Sequence, residues 1–312
     1  MQKKVLIIDK VHPLITGRLT DAGYLCEHFP GYGRKEVENI IPGYYGVIVR
    51  SGVRFDRPML EKATNLSFIG RVGSGMENVD VAFAGSRGIR CLNSPEGNRD
   101  AVGEHTTGLL LALLNHMVRA DRQVRQGQWN REGNRGTEVK GRTVGIIGYG
   151  NMGSAFAQRL KGFEAAVISY DKYKNGYSDG NTRETSLQEL FDKCDILSLH
   201  VPLTEETAGM VDEAFIGRFR KPICLLNTAR GKVVNTRDLV EGLRSGRIAG
   251  AALDVLEYED ATFEQIGEAS SPELDYLKAA DNVVLTPHIA GWTHESALRL
   301  ASVLVGKILE IQ

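Results

Sequence analysis

Short apolar runs alternate with amphipathic helical stretches along the whole chain, which is the pattern of parallel α/β sheets. In the first part, the predicted strands are residues 4–8, 24–28, 46–50, 67–72 and 90–92. Helical stretches lie between most of them. Because each strand has an amphipathic partner to cover it, this set predicts a small doubly wound domain.

A long helical stretch, residues 99–126, follows, with apolar side chains recurring at a period near 3.6. A second array then contains predicted strands at 143–148, 165–171, 194–200, 224–227, 250–255 and 282–286. Six strands suffice for a Rossmann-type sheet. A last helix, about 293–310, has no strand to follow. We therefore expect two doubly wound parallel-sheet α/β domains: a flavodoxin-like domain of residues 1–98 completed by 290–312, and a Rossmann-type domain of residues 99–289.

Composition narrows the classes of function. The 312 residues carry 38 Lys plus Arg and 39 Asp plus Glu, so we expect no nucleic-acid or membrane partner that needs a basic face. The longest apolar run, residues 109–114, is too short to span a bilayer. The four cysteines show no paired spacing, which favours reduced thiols and a cytoplasmic location. The 35 glycines, by contrast, are clustered.

One glycine cluster forms a GxGxxG motif between an apolar strand and a helix. Gly148 permits a tight turn, Gly150 lets the backbone approach a pyrophosphate, and Gly153 lets helix and strand pack closely. The N–H groups of the helix start, at Asn151 and Met152, favour an anion. The motif therefore predicts a dinucleotide site.

An acid, Asp171, ends the next predicted strand, about 20 residues further on. Its carboxylate is expected to accept hydrogen bonds from both ribose hydroxyls of the cofactor and to repel a 2′-phosphate. We therefore predict NAD as the cofactor, although the neighbouring Lys172 weakens the preference against NADP.

Reactive side chains follow the later strands. His200, Arg230, Asp254 and His288 each lie at or just beyond the carboxyl end of a predicted strand, where ligands bind in open α/β sheets. This set suits hydride transfer at a 2-hydroxy acid, because imidazole can take the hydroxyl proton and an arginine can bind the carboxylate. From the residues alone, His200 and His288 remain alternative bases. We expect no metal, since no Cys/His cluster has zinc spacing.

Seven blocks together resemble the D-2-hydroxyacid dehydrogenase family over nearly the whole chain. They are residues 73–80, 98–105, 148–153, 200–203, 227–231, 250–255 and 286–291. Glu77 stands where the family usually has Asp, and Gly103 where it has Ala. The resemblance implies two α/β domains with the active site in the cleft between them.

The resemblance also implies roles for individual residues. Arg230 would bind substrate, His288 would be the acid/base, and Glu259, not Glu257, would support His288. Asp254 would contact the nicotinamide carboxamide, and backbone groups of Ser74 and Gly75 would bind the substrate carboxylate. The remaining cofactor-pocket residues would be His200, Val201, Pro202, Thr228 and Ala229.

Within the family, the chain is most similar to the D-3-phosphoglycerate dehydrogenases, through residues 47–51, 69–73 and 129–131. Arg50, Arg71 and Arg131 would then hold a phosphate together, because guanidinium groups suit a forked dianion. Two alternatives stay open: a glyoxylate/hydroxypyruvate reductase, and a non-catalytic NAD-sensing corepressor. The resemblance also implies a homodimer that forms through the long helix and the following loop.

Overall fold

The computed structural model describes residues 2–259 and 271–311. Residues 2–99 and 292–311 form one compact unit, and residues 100–259 and 271–291 form a second. Each unit contains one all-parallel sheet, so the predicted fold class of two parallel α/β sheets is confirmed. The outer limits of the predicted domains, residues 1 and 312, lie outside the described residues. Within the described ranges, no helix has the length and apolarity to cross a membrane.

The first unit is built on a five-stranded sheet of order β2-β1-β3-β4-β5. Its strands are Lys4–Ile7 (β1), Leu25–His28 (β2), Gly46–Val49 (β3), Phe68–Arg71 (β4) and Arg90–Leu92 (β5). The first four helices of this unit are Leu14–Asp21 (α1), Arg34–Ile40 (α2), Arg57–Lys62 (α3) and Val81–Ser86 (α4). The central strand β3 is buried along its whole length, which explains its uninterrupted apolar sequence.

The stretch predicted as one helix over residues 99–126 is two helices, Pro95–Leu114 (α5) and Met117–Arg125 (α6). The break is at Asn115 and His116, where the Asn115 side-chain amide donates to the Leu111 carbonyl and His116 has φ of +53°. The prediction of a single helix was wrong because the apolar period continues across the break. Met117 and Val118 extend that period, although both are about half exposed.

The second unit contains a seven-stranded sheet of order β12-β11-β10-β9-β6-β7-β8. Its strands are Thr143–Ile147 (β6), Ala166–Tyr170 (β7), Thr182–Glu184 (β8), Ile196–Leu199 (β9), Ile223–Asn227 (β10), Ile248–Leu253 (β11) and Val283–Leu285 (β12). The prediction of six strands missed β8. This strand pairs only with β7 at the sheet edge, and its sequence Thr-Arg-Glu lacks the apolar run that marks a buried strand.

Helices cover the second sheet, and the last helix of the chain belongs to the first unit. Besides α6 and most of α5, those of the second unit are Asn151–Arg159 (α7), Leu187–Lys193 (α8), Glu213–Gly217 (α9), Thr236–Arg244 (α10) and Pro272–Ala279 (α11). The last helix is His294–Leu309 (α12), whose Leu304 and Ile308 pack with Val5, Ile48 and Phe68 of the first sheet. Short 3-10 helices lie at Ile41–Gly43, Glu132–Asn134, Leu160–Phe163 and Gly231–Val233.

The strand order of the second sheet brings the predicted site residues to one edge. All strands are parallel, so their carboxyl ends share that edge. The chain adds β7 and β8 on one side of β6 and β9 to β12 on the other, so the strand order reverses between β6 and β9. Along the edge, the residues that follow the strands are His288 after β12, Asp254 after β11, Arg230 after β10, His200 after β9 and Gly148 after β6. Ligands bind at this kind of switch point in open α/β sheets.

Candidate active site

The turn after β6 requires two of its three glycines for its own packing. Gly148 has φ of +91°, and a Cβ there would lie 2.5 Å from the His200 carbonyl oxygen. A Cβ at Gly153 would overlap the Gly148 carbonyl oxygen. At Gly150, φ is −84° and a Cβ would meet nothing within 4 Å. The protein itself therefore has no need of glycine at 150, and the space beside it suits a pyrophosphate that approaches the backbone.

Helix α7 begins directly after this space. Gly150 is its N-cap residue, so no side chain caps the first N–H groups, at Asn151, Met152 and Gly153. Uncapped N–H groups and the positive end of the helix dipole together favour an anion at this point. The site thus fits the phosphates of a dinucleotide.

Asp171 follows β7, on the neighbouring strand of the sheet. Its carboxylate accepts three backbone N–H bonds, from Tyr149 at 2.8 Å, Tyr173 at 2.9 Å and Lys174 at 3.1 Å. A carboxylate offers about four acceptor positions, so one remains, on Oδ2. The expectation that Asp171 binds both ribose hydroxyls stays a prediction.

His200 lies in surroundings that disfavour its protonated form. Its Nε2 lies 2.8 Å from the Ser198 hydroxyl, and its buried Nδ1 has no partner among the described residues. Burial lowers the pKa of His200 to about 3, so the ring is neutral. Val201 and Pro202 follow it, and the Val201 side chain packs beside the Gly148 turn. This segment therefore forms a wall of the predicted cofactor site.

The turn after β10 is shaped by Asn227. Its amide oxygen accepts the Ala229 N–H at 3.0 Å, and its amide nitrogen donates to the Arg230 carbonyl at 3.0 Å. The Arg230 guanidinium donates to the Ala229 carbonyl at 2.7 Å. Thr228 shares a hydroxyl–hydroxyl hydrogen bond of 3.0 Å with Thr106 of α5. Asn227 and Thr106 were not predicted as site residues, because they act indirectly, by fixing the turn that carries Arg230.

His288 is paired with a carboxylate. Its Nδ1 lies 2.8 Å from Glu259 Oε2, and both side chains are largely buried. Glu259 is itself held, because its Oε1 accepts the Leu256 N–H at 2.5 Å. Glu257 instead accepts the N–H and hydroxyl of Thr236. Of the two histidines left open by the sequence, His288 therefore has the geometry of an oriented acid/base.

The backbone at His288 is left-handed, with φ of +54°, which is a strained conformation for a residue with a Cβ. Asp254 holds it there. The His288 N–H donates to the Asp254 carbonyl at 2.7 Å. The Asp254 carboxylate accepts the Thr286 hydroxyl at 2.6 Å and the N–H groups of Ile289 at 2.9 Å and Ala290 at 2.8 Å. The Asp254 side chain thus organises the whole turn that carries His288.

His105 on α5 completes this arrangement, and the sequence analysis gave it no role in the site. Its Nε2 lies 3.2 Å from the Thr286 hydroxyl and 3.4 Å from Asp254 Oδ1. Burial by itself would raise the pKa of the Asp254 carboxyl, but bonds from His105, Thr286 and the two N–H groups lower it below its ordinary value. Asp254 is therefore an ionised, buried carboxylate. A buried carboxylate such as Asp254 needs hydrogen-bond donors, and this need was the one signal in the sequence that could have pointed to His105.

The first unit brings Arg50 and Arg71 together. The Arg71 Nε donates to the Arg50 carbonyl at 3.2 Å, and the Arg50 N–H donates to Asp9 at 2.5 Å. The Arg50 guanidinium lies over the Trp292 ring, 4.2 Å from its centroid. A Cβ at Gly73 would overlap the Arg71 guanidinium, so glycine makes room for it. Trp292, which is 64% exposed, was not predicted.

The remaining predicted substrate residues differ in their surroundings. Ser74 donates to the Asn98 side chain at 2.8 Å, and its carbonyl accepts the Asn93 amide at 2.6 Å, so the loop of Ser74 and Gly75 is fixed in the first unit. Arg131 is exposed and belongs to the second unit, at the start of a 3-10 turn. Among residues 2–259 and 271–311, no group of His, Cys, Asp or Glu has the arrangement of a metal site.

Comparison with known proteins adds independent evidence. The family model described as "D-isomer specific 2-hydroxyacid dehydrogenase, NAD binding domain" matches residues 107–290. The chain belongs to this family.

Two relatives and one solved structure show how far the similarity extends. The D-3-phosphoglycerate dehydrogenase of Archaeoglobus fulgidus is 33% identical over 99% of this chain, which spans 57% of that protein's length. The hydroxypyruvate reductase of Thermotoga maritima is 36% identical over 89% of this chain and 88% of its own. The structure of D-lactate dehydrogenase from Aquifex aeolicus, complexed with NAD and lactic acid, has a TM-score of 0.86 at 29% identity, covering 98% and 95% of the two chains.

The predicted family is confirmed, and with it the class of NAD-dependent dehydrogenases and NAD as the cofactor. The residues of this member fit NAD at the phosphate end, since the open space at Gly150 meets the uncapped start of α7. When bound, NAD supplies the nicotinamide carbon that accepts or donates a hydride.

Replacing Gly150 by alanine should change cofactor affinity without changing the stability of the fold. The new methyl group meets no protein atom but enters the space proposed for the pyrophosphate. We expect the NADH dissociation constant to rise about 10-fold or more, while the unfolding midpoint stays nearly unchanged. Fluorescence titration with NADH and thermal unfolding measure the two. Gly162→Ala, also without neighbours within 4 Å, is the matched control. Equal NADH affinity in both variants would contradict the assignment.

Proposed function

We propose that the chain is an NAD-dependent oxidoreductase of D-2-hydroxy acids, which transfers a hydride between C2 of the acid and nicotinamide. The observation that carries this proposal is the His288–Glu259 pair, at 2.8 Å, on a turn held by Asp254. It lies on the same sheet edge as the glycine turn that fits the cofactor phosphates. An oriented imidazole on the edge where the dinucleotide binds is the arrangement that alcohol oxidation needs.

In this proposal, the chain's residues handle the proton and the carboxylate. The Nε2 of His288 takes the hydroxyl proton of the substrate as the C2 hydrogen leaves with its electron pair. Glu259 on Nδ1 fixes the ring and stabilises the imidazolium that forms. Arg230 and the backbone of Ser74 and Gly75 bind the substrate carboxylate. Reduction of a 2-keto acid follows the same steps in reverse.

The other predicted residues act on the cofactor side. Gly148, Gly150, Asn151, Met152 and Gly153 would face its phosphates. Asp171 would accept hydrogen bonds from the ribose hydroxyls, with an acceptor position left on Oδ2. The walls of the pocket would be His200, Val201, Pro202, Thr228 and Ala229. Asp254 would act chiefly by holding the His288 turn, because its carboxylate already accepts protein donors; its predicted contact with the nicotinamide carboxamide stays a prediction.

For the substrate, we propose D-3-phosphoglycerate or its keto form. The support is the pair of Arg50 and Arg71. The Arg50 N–H donates to Asp9, the Arg71 guanidinium donates to the Arg50 carbonyl, and the Arg50 guanidinium stacks on Trp292. Stacking on Trp292 holds the planar Arg50 guanidinium in one orientation, and a guanidinium held in this way suits the binding of a phosphate. The alternative is a glyoxylate or hydroxypyruvate reductase. It is supported by the hydroxypyruvate reductase of Thermotoga maritima, because this chain spans 88% of that protein but only 57% of the D-3-phosphoglycerate dehydrogenase of Archaeoglobus fulgidus. The phosphate contact of Arg131, a residue of the second unit, stays a prediction.

A substrate panel with Arg50→Ala tests the choice. Wild type should oxidise D-3-phosphoglycerate with NAD, and Arg50→Ala should raise KM for it about 10- to 100-fold, because a charge-assisted hydrogen bond is lost. KM for glyoxylate should change far less. The matched control is Arg54→Ala, an exposed arginine of the same loop. Equal losses on both substrates would remove the phosphate role, and negligible turnover of every acid would favour the corepressor alternative.

For the partner, we propose a second copy of this chain bound at α6. No residue of α6 is buried, yet Met117, Val118 and Val124 are apolar, and Trp129 of the following loop is also exposed. A run of exposed apolar side chains of this kind is typical of an interface. Sedimentation equilibrium that shows only monomer would contradict it. The cytoplasmic location stays a prediction, supported by the four free cysteines.

A further inference from the structure

Two side chains directly after Asp171 bind one acid from a different loop. The Lys172 ammonium forms an ion pair with the Glu206 carboxylate, and the Tyr173 hydroxyl donates to the other Glu206 oxygen at 2.6 Å. Glu206 belongs to the segment after β9 that continues from Val201 and Pro202. We call these three residues the Glu206 clasp.

The clasp lies at the nucleotide edge of the second sheet. Strand β6, which carries the glycine turn, is flanked by β7 on one side and β9 on the other. The clasp joins the segments that follow β7 and β9, the two strands that neighbour β6. The Lys174 ammonium also donates to the Tyr149 carbonyl of the glycine turn, at 3.1 Å. The segment after Asp171 is thus attached both to the turn and to Glu206.

Charge at this position decides which dinucleotide is accepted. NADP differs from NAD by a 2′-phosphate on the ribose that Asp171 addresses, and this group carries about −1.5 to −2 charges. A lysine beside that ribose would attract the phosphate and offset the repulsion by Asp171. Glu206 neutralises this lysine and adds a second carboxylate. The pKa of Glu206 is lowered by its bonds from Lys172 and Tyr173, so it is ionised at neutral pH.

We propose that Glu206 is a specificity-determining residue that excludes NADP, because it holds Lys172 in the clasp and away from a 2′-phosphate. The proposal rests on NAD binding by the proposed oxidoreductase, but not on the identity of its acid substrate. It assigns the discrimination to two effects: repulsion by Asp171, and the pairing of Lys172 with Glu206.

Direct binding of NADH and NADPH to the full chain, without any acid substrate, tests the proposal. Glu206→Gln should lower the NADPH dissociation constant about 3- to 10-fold, the effect of one released surface charge and one lost repulsion. The NADH constant should stay nearly unchanged. Glu205→Gln is the matched control, because it also removes one negative charge, at the preceding position. It should leave the NADH and NADPH dissociation constants as in wild type. The gain should shrink in high salt, because the charges are exposed.

A double variant identifies the cation. Glu206→Gln combined with Lys172→Gln should lose the part of the gain in NADPH affinity that comes from the released lysine, and keep only the part that comes from the lost Glu206 repulsion. If Glu206→Gln matches Glu205→Gln, or weakens both dinucleotides equally, the clasp is only structural and the proposal is overturned. Failure to bind either dinucleotide would overturn it as well. Binding of NADH without turnover of any D-2-hydroxy acid would instead remove the proposed function and leave this inference standing.

Discussion

Replacing His288 by glutamine is expected to lower kcat about 100- to 10,000-fold, because the amide cannot take up or release the substrate proton. Glutamine keeps a hydrogen-bond donor toward Glu259, so the turn should retain its shape. NADH affinity should therefore remain close to that of wild type. Steady-state kinetics with a D-2-hydroxy acid and a fluorescence titration with NADH give the two quantities.

The matched control for this experiment is His294→Gln. His294 begins α12 and is exposed, so its replacement changes the same functional group without touching the Glu259 pair. We expect the control to retain wild-type kcat. If His288→Gln keeps kcat within about tenfold of this control, a general acid/base role for His288 is excluded.

Replacing Asp254 by asparagine should lower both stability and activity. The carboxylate is 1% exposed and accepts bonds on both oxygens, so the amide nitrogen of asparagine must face a donor. Bonds to a buried charge contribute about 1.5–3 kcal/mol each, and we expect the free energy of unfolding to fall by about 2–4 kcal/mol. The loosened turn should lower kcat about 10- to 100-fold, since small displacements of a catalytic group are costly.

Denaturant unfolding and steady-state kinetics measure these effects, with Asp281→Asn as the control. Asp281 lies in an exposed ion pair with Arg122, so its loss should cost about 1 kcal/mol or less. A variant at 254 as stable and as active as the control would show that the carboxylate does not hold the His288 turn.

Much of the chain's architecture was predictable because it depends on local physics. A strand buried on both faces needs a continuous apolar run, so β1, β3, β6 and β9 are marked in the sequence itself. The glycine turn is likewise local, since Gly148 and Gly153 avoid overlap with atoms of nearby backbone. The edge strand β8 and the break at His116 escaped prediction, because edge pairing and exposed apolar residues leave no distinct pattern.

The sequence by itself determined the two-sheet class, the dinucleotide turn and the set of polar residues at the strand ends, because each follows from spacing between neighbours in the chain. Only the tertiary structure decided between the two histidines: His200 is buried without a charged partner, whereas Glu259 reaches His288 from 29 positions away. The contacts of His105 with Asp254, of Trp292 with Arg50 and of Glu206 with Lys172 were decided in the same way. Such pairs join residues on separate loops, and their distances are set by how whole strands and helices pack.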